Sequence, residues 1–447
     1  MTIAEFQEKL LQQAVDADFK EVEVYFERKT SFECKLYEGQ IDSYETSEDG
    51  GLSLRGLYNG KMGYSYTEKL DDESIPFLID SAKANADILD EDEGIDIFEG
   101  SSEYAGHQFY SEELANIEIA DKVELLRAIE KNILTYDPRI VTLDYCILKE
   151  FSTERSLVNS KNLSLSQKEN GLVIFISTVV KDGDELKTAG YLKMTRDFYA
   201  LDVEEIAKEA AEEALANLGE KSIPSGKYPI ILRYDATAAL LATFMPVFSA
   251  ENAQKDQSLL KGKVGQKVAS DAFTLLNDPF HPNALTGSNF DGEGVATKQQ
   301  AIILNGTLQT LLHNRKTAKI EGCATSGHAH KNSYKGTLTI APQNLYVPPG
   351  QKTQADLIAA ISEGLLITGL SGLHSGTNTI SGDFSVAATG FHIKDGKIVS
   401  PVKQMTIAGN FFDLMKDIEE TSSELYFLPQ GYGSSSLLVK ELSVTVE

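Results

Sequence analysis

Residues 363–410, with the sequence EGLLITGLSGLHSGTNTISGDFSVAATGFHIKDGKIVSPVKQMTIAGN, contain eight glycines in an apolar, β-branched stretch. Glycine concentrates where the backbone has a positive φ or approaches another group closely. The pattern therefore predicts strands separated by unusual turns, as a scaffold for a site or as a chain crossing. Flexible linkers are polar throughout, so we expect this stretch to belong to a core. The residues expected to be buried are Leu365, Leu366, Ile367, Leu370, Phe384, Val386, Phe391, Ile393, Ile398, Val399 and Ile407.

The length and charge of the whole chain limit its class. Its 447 residues exceed one ordinary core and predict two or three domains. Lys and Arg number 41 and Asp and Glu number 67, which gives a formal net charge of −26. Because this charge repels phosphate backbones and anionic lipid alike, we expect no direct nucleic-acid partner and no membrane partner.

The cysteines and the first residues predict a cytoplasmic protein. Cys34, Cys146 and Cys323 are widely spaced and form no CxxC pair, which is typical of reduced thiols. The first residues carry acids where a signal peptide needs bases, and their apolar residues have helical spacing. The apolar runs of the chain are far shorter than a membrane span.

The first half of the chain predicts an N-terminal α+β domain over residues 1–222. An amphipathic helix is followed by antiparallel strands, with a hairpin at Asn59-Gly60, and by a second helix. The same order then recurs and closes with a helix for which Asp202 is the expected N-cap. We interpret this order as an internal duplication near residues 1–110 and 111–222, with chance similarity of two hairpin segments as the alternative.

The second half predicts a mainly antiparallel β domain with few helices over residues 223–447. A Pro/Ser/Gly cluster precedes its first strand, Tyr228–Tyr234. The next helix is rich in alanine and leucine, with Asp235 as the expected cap and Pro246 as a kink or an end. Two-residue turns of the kind found here join antiparallel strands. The other elements expected are hairpins at Asn305-Gly306 and Asp395-Gly396 and a helix over Asp356–Leu366.

Two histidines, His328 and His330, are close neighbours in a chain that has no nucleotide-binding glycine loop and no GxSxG elbow. On a strand, their i, i+2 spacing places both imidazoles on one face, which suits a metal site. Two ligands do not complete a zinc site, and we favour surface or hydrogen-bonded histidines. The candidates for a third ligand are His281, His313, His374, Asp291 and Glu293.

Asp291 and Glu293, in SNFDGEGVATK, are paired carboxylates on either side of a glycine. Such a pair performs general acid/base catalysis when burial separates the two pKa values. Acids in a turn also accept hydrogen bonds from backbone amides, and we favour this second interpretation. Asp383, in SGDF, is either an Asx-turn residue or a site residue, and the sequence leaves both open.

Several motifs in a fixed order carry a resemblance to a known family. They are FDGEGVATK (290–298), LNGTLQTLLHNRKTA (304–318), TSGHA, GLLITGLSGLHSG, SGDFSVAATGFHIKDGKI and MTIAGNFFDL. With these motifs the second half resembles the TldD/PmbA family of peptidase proteins, also called modulators of DNA gyrase. The first half is similar to the family in EDGGLSLRGLYNGKMGYSYT. The resemblance implies an N-terminal α+β domain, a C-terminal antiparallel domain and a dimer that encloses a substrate cavity.

The resemblance also separates two kinds of chain. TldD-like chains carry HExxxH on the helix after the strand that opens the second domain, and a cysteine near the C-terminus completes their zinc site. Here that helix reads LLATFMPVF, with Ala242 and Val247 at the histidine positions and Thr243 at the glutamate position. The C-terminal run YGSSSLLVKELSVTVE has no cysteine. The chain therefore resembles the TldE (PmbA) kind, and we expect no catalytic residue, no metal and no cofactor in it.

Three hypotheses for the function follow. The first is a non-metal subunit that forms the cavity for unfolded or small peptides, while a TldD-like partner supplies zinc. The second is an enzyme that uses its own metal near His328 and His330, and the third is a peptide-binding homodimer without catalysis. Glycine-rich strands fit peptide binding, because bare backbone can hydrogen-bond an extended peptide. The residues expected to line the cavity are Asp291, Glu293, His374, Asp383 and Phe384.

Overall fold

Six strands and five helices form the N-terminal half of the computed structural model, which describes residues 1–89 and 95–446. The helices are α1 (Ile3–Asp16), α2 (Ser74–Asp87), α3 (Glu112–Ala115), α4 (Ile119–Tyr136) and α5 (Val203–Leu215). The strands are β1 (Glu21–Tyr37), β2 (Gln40–Tyr58), β3 (Lys61–Thr67), β4 (Ile140–Asn159), β5 (Ser164–Asp182) and β6 (Glu185–Thr195). The hairpin predicted at Asn59-Gly60 joins β2 to β3. The predicted N-cap, Asp202, accepts hydrogen bonds from the backbone amides of Glu204 and Glu205.

The six strands form one antiparallel sheet in the order β3-β2-β1-β4-β5-β6. The order helix, three strands, helix occurs twice, and the first strand of each set, β1 and β4, pair at the centre of the sheet. Helices α1 and α2 bury one set of apolar side chains against β1 and β2, and α4 and α5 bury another against β4 and β5. Each set therefore has its own core. The division of the chain at residue 222 and the internal duplication stay predictions.

In the second half, the part of the chain that the structure describes forms fifteen strands and six short helices. The helices are α6 (Tyr234–Phe244), α7 (Ala250–Gln254), α8 (Arg315–Glu321), α9 (Gln354–Ala359), α10 (Leu373–Gly376) and α11 (Phe411–Lys416). The strands are β7 (Gly226–Leu232), β8 (Leu275–Asn277), β9 (Gln300–Leu304), β10 (Thr307–Leu308), β11 (Ala329–His330), β12 (Thr339–Ile340), β13 (Leu345–Tyr346), β14 (Glu363–Ser371), β15 (Asp383–Lys394), β16 (Lys397–Pro401), β17 (Met405–Asn410), β18 (Ile418–Thr421), β19 (Tyr426–Phe427), β20 (Tyr432–Ser434) and β21 (Leu437–Val446). None of the helices in residues 1–89 and 95–446 is long and apolar enough to cross a membrane.

The largest sheet of the second half closes on itself. Its strands follow the path β14-β7-β21-β17-β15, and β14 pairs again with β15. Only the β14–β7 pair on this path is parallel. A smaller six-stranded sheet, β10-β9-β8-β13-β20-β19, shares a large apolar core with it. The predicted α+β class with mainly antiparallel strands is confirmed.

Three details of the predicted second half are wrong. The helix predicted over Asp356–Leu366 is shorter, because α9 ends at Ala359 and β14 begins at Glu363. Arg233, not Asp235, is the residue before α6, and Asp235 lies in the first turn of that helix. Ile398 and Val399, on the outer strand β16, are 47% and 49% exposed and belong to neither of the apolar cores of the second half. The other residues expected to be buried are buried, apart from the half-buried Leu370.

The second half also covers part of the N-terminal sheet. Successive side chains of β1 and β2 point to opposite faces of the sheet, and one face packs on helices α1 and α2. The side chains of the other face, including Tyr25 and Arg55, are buried under residues 290–334. The Tyr25 and Phe290 rings belong to one buried cluster, and the hydroxyl of Tyr64 donates hydrogen bonds to the carbonyls of Tyr334 and Gly336. This part of the sheet is therefore buried on both faces.

Candidate functional site around helix α6

Helix α6 lies where the glycine-rich stretch and the C-terminal strands meet. It packs against β14 and α10 on one side and against β19 and β20 on the other. Its first residue, Tyr234, stacks on Tyr426 of β19 with ring centroids 3.9 Å apart. Arg233, just before the helix, makes two-pronged hydrogen bonds to Glu213 at 2.7 and 2.9 Å, which fixes the start of α6 against α5.

The three positions compared with HExxxH carry no metal-binding side chain. Ala242 and Thr243 are half-buried on α6, and the Thr243 hydroxyl donates to the carbonyl of Ala239 at 2.9 Å. Val247 is fully buried in the short 3-10 helix Met245–Phe248, which takes over where α6 ends, beside Pro246. A zinc ion needs nitrogen, sulfur or carboxylate ligands, so these residues do not fit one.

The glycines of residues 363–410 permit close packing between strands. A Cβ atom on Gly390 of β15 would lie 2.1 Å from the carbonyl oxygen of Leu366 on β14. Gly382 has φ +87°, and a Cβ there would meet the ring of Phe412 at 2.5 Å. Strand β15 has hydrogen-bonded neighbours on both sides, β17 and β14. The pairing with β14 begins only at Ala387, and Asp383 to Val386 pair with β17 alone among the named strands. Peptide binding by the glycine-rich strands stays a prediction.

The structure brings two of the predicted cavity residues, His374 and Phe384, close to α6, and a third, Asp383, precedes Phe384 in the chain. His374 is exposed on α10, which contacts α6. Asp383 is exposed at the start of β15, where it accepts hydrogen bonds from Asn410 at 2.9 Å and Ser381 at 2.8 Å, and these bonds lower its pKa. The ring of Phe384 points inward and is 3% exposed, 6.4 Å from the Phe244 ring. Whether these residues line a cavity stays a prediction.

Asp291 and Glu293 lie elsewhere, under the N-terminal sheet, and are 3% and 2% exposed. Asp291 accepts three backbone hydrogen bonds, from Glu293 and Val295 on Oδ1 and from Ala329 on Oδ2, at 2.9 to 3.0 Å. Burial and the neighbouring Glu293 raise the pKa of Asp291, and the three amides oppose this shift. This is the turn geometry that we favoured from the sequence.

Glu293 belongs to a buried ionic cluster that joins the two halves of the chain. Its Oε2 accepts a hydrogen bond from the backbone amide of Arg315 at 2.9 Å, and its Oε1 lies 3.7 Å from Arg55 Nη1. Arg55 Nη2 in turn donates to Glu23 Oε2 at 3.1 Å. Because all three charged side chains are almost fully buried, each depends on the others for compensation.

Lys331 is a fourth buried charged group in this region, and the sequence did not single it out. Its Nζ donates to Ser53 Oγ at 3.2 Å and lies 5.0 Å from the ring centroids of Tyr25 and Tyr64. Burial lowers its pKa to about 8. The only sequence signal for this region was the alternation of apolar and polar residues along β1 and β2. That alternation is compatible with a solvent-exposed polar face and equally with a face covered by a second domain.

His328 and His330 have separate environments. His328 is fully buried with Nδ1 2.8 Å from Ser326 Oγ, and burial lowers its pKa to about 3. His330 is half-buried, with Nε2 3.1 Å from Asn332 Oδ1. Within the described ranges, neither belongs to a set of three ligand-type side chains whose donor atoms lie within 4.8 Å.

Three family models match the chain in order. The PmbA/TldA metallopeptidase domain 1 matches residues 22–86, the central domain matches 112–218 and the C-terminal domain matches 225–446. The chain belongs to the PmbA/TldD metallopeptidase family. Within this PmbA/TldD family, an uncharacterised protein of Methanocaldococcus jannaschii is 31% identical over 89% of this chain and 90% of its own.

Two solved structures of PmbA/TldD-like chains share the whole fold. A proposed modulator of a DNA gyrase from Thermotoga maritima has a TM-score of 0.92 and 31% identity, over 99% of this chain and all of its own. TldE from Thermococcus kodakarensis has a TM-score of 0.91 and 25% identity, over 98% of this chain and all of its own. The chain therefore shares the fold of these two structures over nearly its whole length.

Proposed function

We propose that this chain is the non-metal, TldE-like subunit of a cytoplasmic metallopeptidase pair. A TldD-like partner supplies the zinc, and this chain completes the cavity in which unfolded or small peptides are cut. The observation that carries the proposal is the chemistry of Ala242, Thr243 and Val247 in a chain that otherwise keeps the family fold. The likeness to TldE from Thermococcus kodakarensis supports it.

The packing around α6 supports the proposal that this helix forms part of the cavity wall. The helix is rigidly held by the Arg233–Glu213 pair at its start and by the packing of Phe244 against Phe411, whose ring centroids are 4.4 Å apart. His374, on α10 beside it, and Asp383, at the start of β15, are exposed and are the side chains that we propose to contact the peptide. Rigid elements that carry a few exposed polar groups are a common form of ligand site.

The test is reconstitution of the peptidase from separate chains. This chain and a TldD-like chain from the same source are purified apart, mixed and assayed with an unfolded protein substrate, with and without chelation and zinc reloading. We expect cleavage by the mixture, loss of cleavage after chelation, and no cleavage by this chain alone. Cleavage by this chain alone, reloaded with zinc, at the rate of the mixture would contradict the proposal.

The peptide contacts are tested in the same reconstituted pair. His374→Ala should raise KM for peptide and leave co-purification with the partner intact, since the side chain is exposed and is not part of the core. Glu251→Gln, a change at a half-exposed carboxylate on α7, serves as the matched control. Peptide affinity without any partner, together with no cleavage in the mixture, would instead identify a peptide-binding homodimer.

A further inference from the structure

A cluster of three metal-ligand side chains surrounds the short helix α8. His313 lies two residues before the helix, Glu321 is its last residue, and Cys323 follows the glycine that ends it. His313 Nε2 lies 3.9 Å from Cys323 Sγ and 3.7 Å from Glu321 Oε2. One ligand atom from each residue lies within 4.8 Å of the other two. The cluster includes none of the residues compared with HExxxH.

The local backbone explains why the ends of α8 converge on one point. Asn314 caps the start of the helix by accepting a hydrogen bond from the Thr317 amide at 2.9 Å. Gly322 ends the helix in the left-handed conformation, with φ +66°. The Cys323 amide then donates to the carbonyl of Ala318 at 3.0 Å, as in a Schellman motif. This turn directs Cys323 back towards His313.

A second layer of hydrogen bonds orients two of the three side chains. The Thr317 hydroxyl lies 3.1 Å from Asn314 Oδ1, to which it donates, and 3.2 Å from His313 Nδ1, from which it accepts. With the proton on Nδ1, the lone pair of Nε2 points at the sulfur and the carboxylate. Gln254 Nε2 donates to Glu321 Oε1 at 3.3 Å and leaves Oε2 on the side of His313. Such outer hydrogen bonds are typical of metal ligands.

The arrangement does not fit a cysteine nucleophile with a histidine base. In a catalytic triad the two ring nitrogens face different partners, one the nucleophile and the other the orienting acid. Here Cys323 and Glu321 face the same nitrogen, Nε2, of His313. The other ring nitrogen, Nδ1, lies 3.2 Å from the Thr317 hydroxyl and faces this hydroxyl rather than an acid. A neutral imidazole is the form that binds a metal.

We propose that His313, Glu321 and Cys323 form a zinc site with one coordination position left for water. Tetrahedral zinc with bonds of about 2.0–2.3 Å sets its ligand atoms roughly 3.3–3.6 Å apart, slightly closer than the distances found here. A mixed nitrogen, oxygen and sulfur set suits zinc better than magnesium or calcium. Cys323 is exposed and lines, with Thr325, a surface cavity of about 190 Å³, so the sulfur is accessible from solvent. This site goes beyond the proposed function, because it lies apart from α6 and the sequence predicts no metal in this chain.

The experiment is a metal titration of the full chain. After chelation and desalting, zinc is added in competition with a chromophoric chelator, and cobalt is added in a parallel titration. We expect saturation at one zinc per chain and, with cobalt, a near-ultraviolet sulfur-to-metal charge-transfer band. Binding without a thiolate band, or no saturable binding at one equivalent, overturns the proposal.

Variants then assign the ligands. Cys323→Ser and Glu321→Gln change exposed side chains, and each should weaken zinc binding at least tenfold, with the cobalt thiolate band absent in the first. Gln254→Ala removes the hydrogen bonds to Glu321 and to the Thr317 carbonyl and no ligand atom, and outer-shell changes of this kind weaken binding about 10–100-fold. Glu251→Gln, on the neighbouring α7, is the control and should bind as the unmodified chain does. Equal zinc affinity for Cys323→Ser and the control would contradict the proposal.

Discussion

Helix α6 and the buried ionic cluster under the N-terminal sheet have opposite chemistry. The cluster of Glu23, Arg55 and Glu293, with Lys331 in the same region, is rich in ionisable groups, yet these groups are buried and have partners within the chain. Helix α6 lies where relatives of the TldD kind are expected to hold zinc, yet Ala242, Thr243 and Val247 offer no metal ligand there. The buried ionic cluster therefore indicates where the two halves of the chain are joined. The proposed function rests instead on α6, which has no ionisable side chain at the three compared positions.

The largest effect predicted from this comparison is the loss of Arg55. Arg55→Met removes the guanidinium that lies within 4 Å of both Glu23 and Glu293, and breaking a buried ion pair in this way costs about 3–5 kcal/mol. We expect the free energy of unfolding, measured in urea, to fall by that amount. Arg28→Met is the control, because Arg28 pairs with Glu154 in solvent, where a pair contributes at most about 1 kcal/mol. Equal losses of unfolding free energy for both variants would show that the cluster does not stabilise the contact between the two halves.

A second effect concerns pH and Lys331. Its pKa is about 8 in the folded chain and 10.5 in the unfolded chain, so between these values the unfolded chain binds the extra proton. The free energy of unfolding should therefore rise with pH across this window because of Lys331, by about 3 kcal/mol at 1.36 kcal/mol per unit.

Comparison with a variant isolates this contribution from other groups that titrate above pH 8. Lys331→Met removes the titrating amine and keeps an unbranched side chain between Tyr25 and Tyr64. The stability of this variant should rise less steeply from pH 8 to 10.5 than that of the unmodified chain, as urea unfolding at each pH will measure. Parallel curves would show that the Lys331 amine is not dehydrated by burial.

The smallest predicted loss of stability concerns the close contact between β14 and β15. Gly390→Ala places a methyl group against the Leu366 carbonyl, and such overpacking costs about 1–3 kcal/mol. Gly226→Ala is the matched control, since the nearest atom to its added methyl group would be 3.6 Å away. We expect thermal unfolding to shift downward for Gly390→Ala only. No difference between the two would mean that β14 and β15 can separate without cost.

The sequence predicted the fold well where local chemistry decides it. The hairpin at Asn59-Gly60 and the cap at Asp202 were correct because turn and cap residues act within a few positions. The helix predicted over Asp356–Leu366 failed because β14 gains its pairing from β7 and β15, which lie far away in the chain. Tertiary pairing overrode the local pattern there.

The candidate sites also differ in how far the local sequence could predict them. The comparison of Ala242, Thr243 and Val247 with HExxxH rests on the sequence alone and stays a prediction. The His313, Glu321 and Cys323 set was missed because the spacing brackets a helix and matches no common motif, and only the turn at Gly322 brings it together. Asp291 and Glu293 were noticed as a pair, but their burial depends on contacts with the N-terminal half, which no local pattern reveals.

The strand β7 has a consequence for the synthesis of this protein on the ribosome. It is the first strand of the closed sheet, yet both of its neighbours, β14 and β21, come much later in the chain. At 5–20 residues per second, on the order of ten seconds or more pass before β21 emerges. Throughout that interval Ile230, Ile231 and Leu232 lack the partners that bury them. Nascent chains of this protein should therefore be clients of chaperones that bind apolar segments.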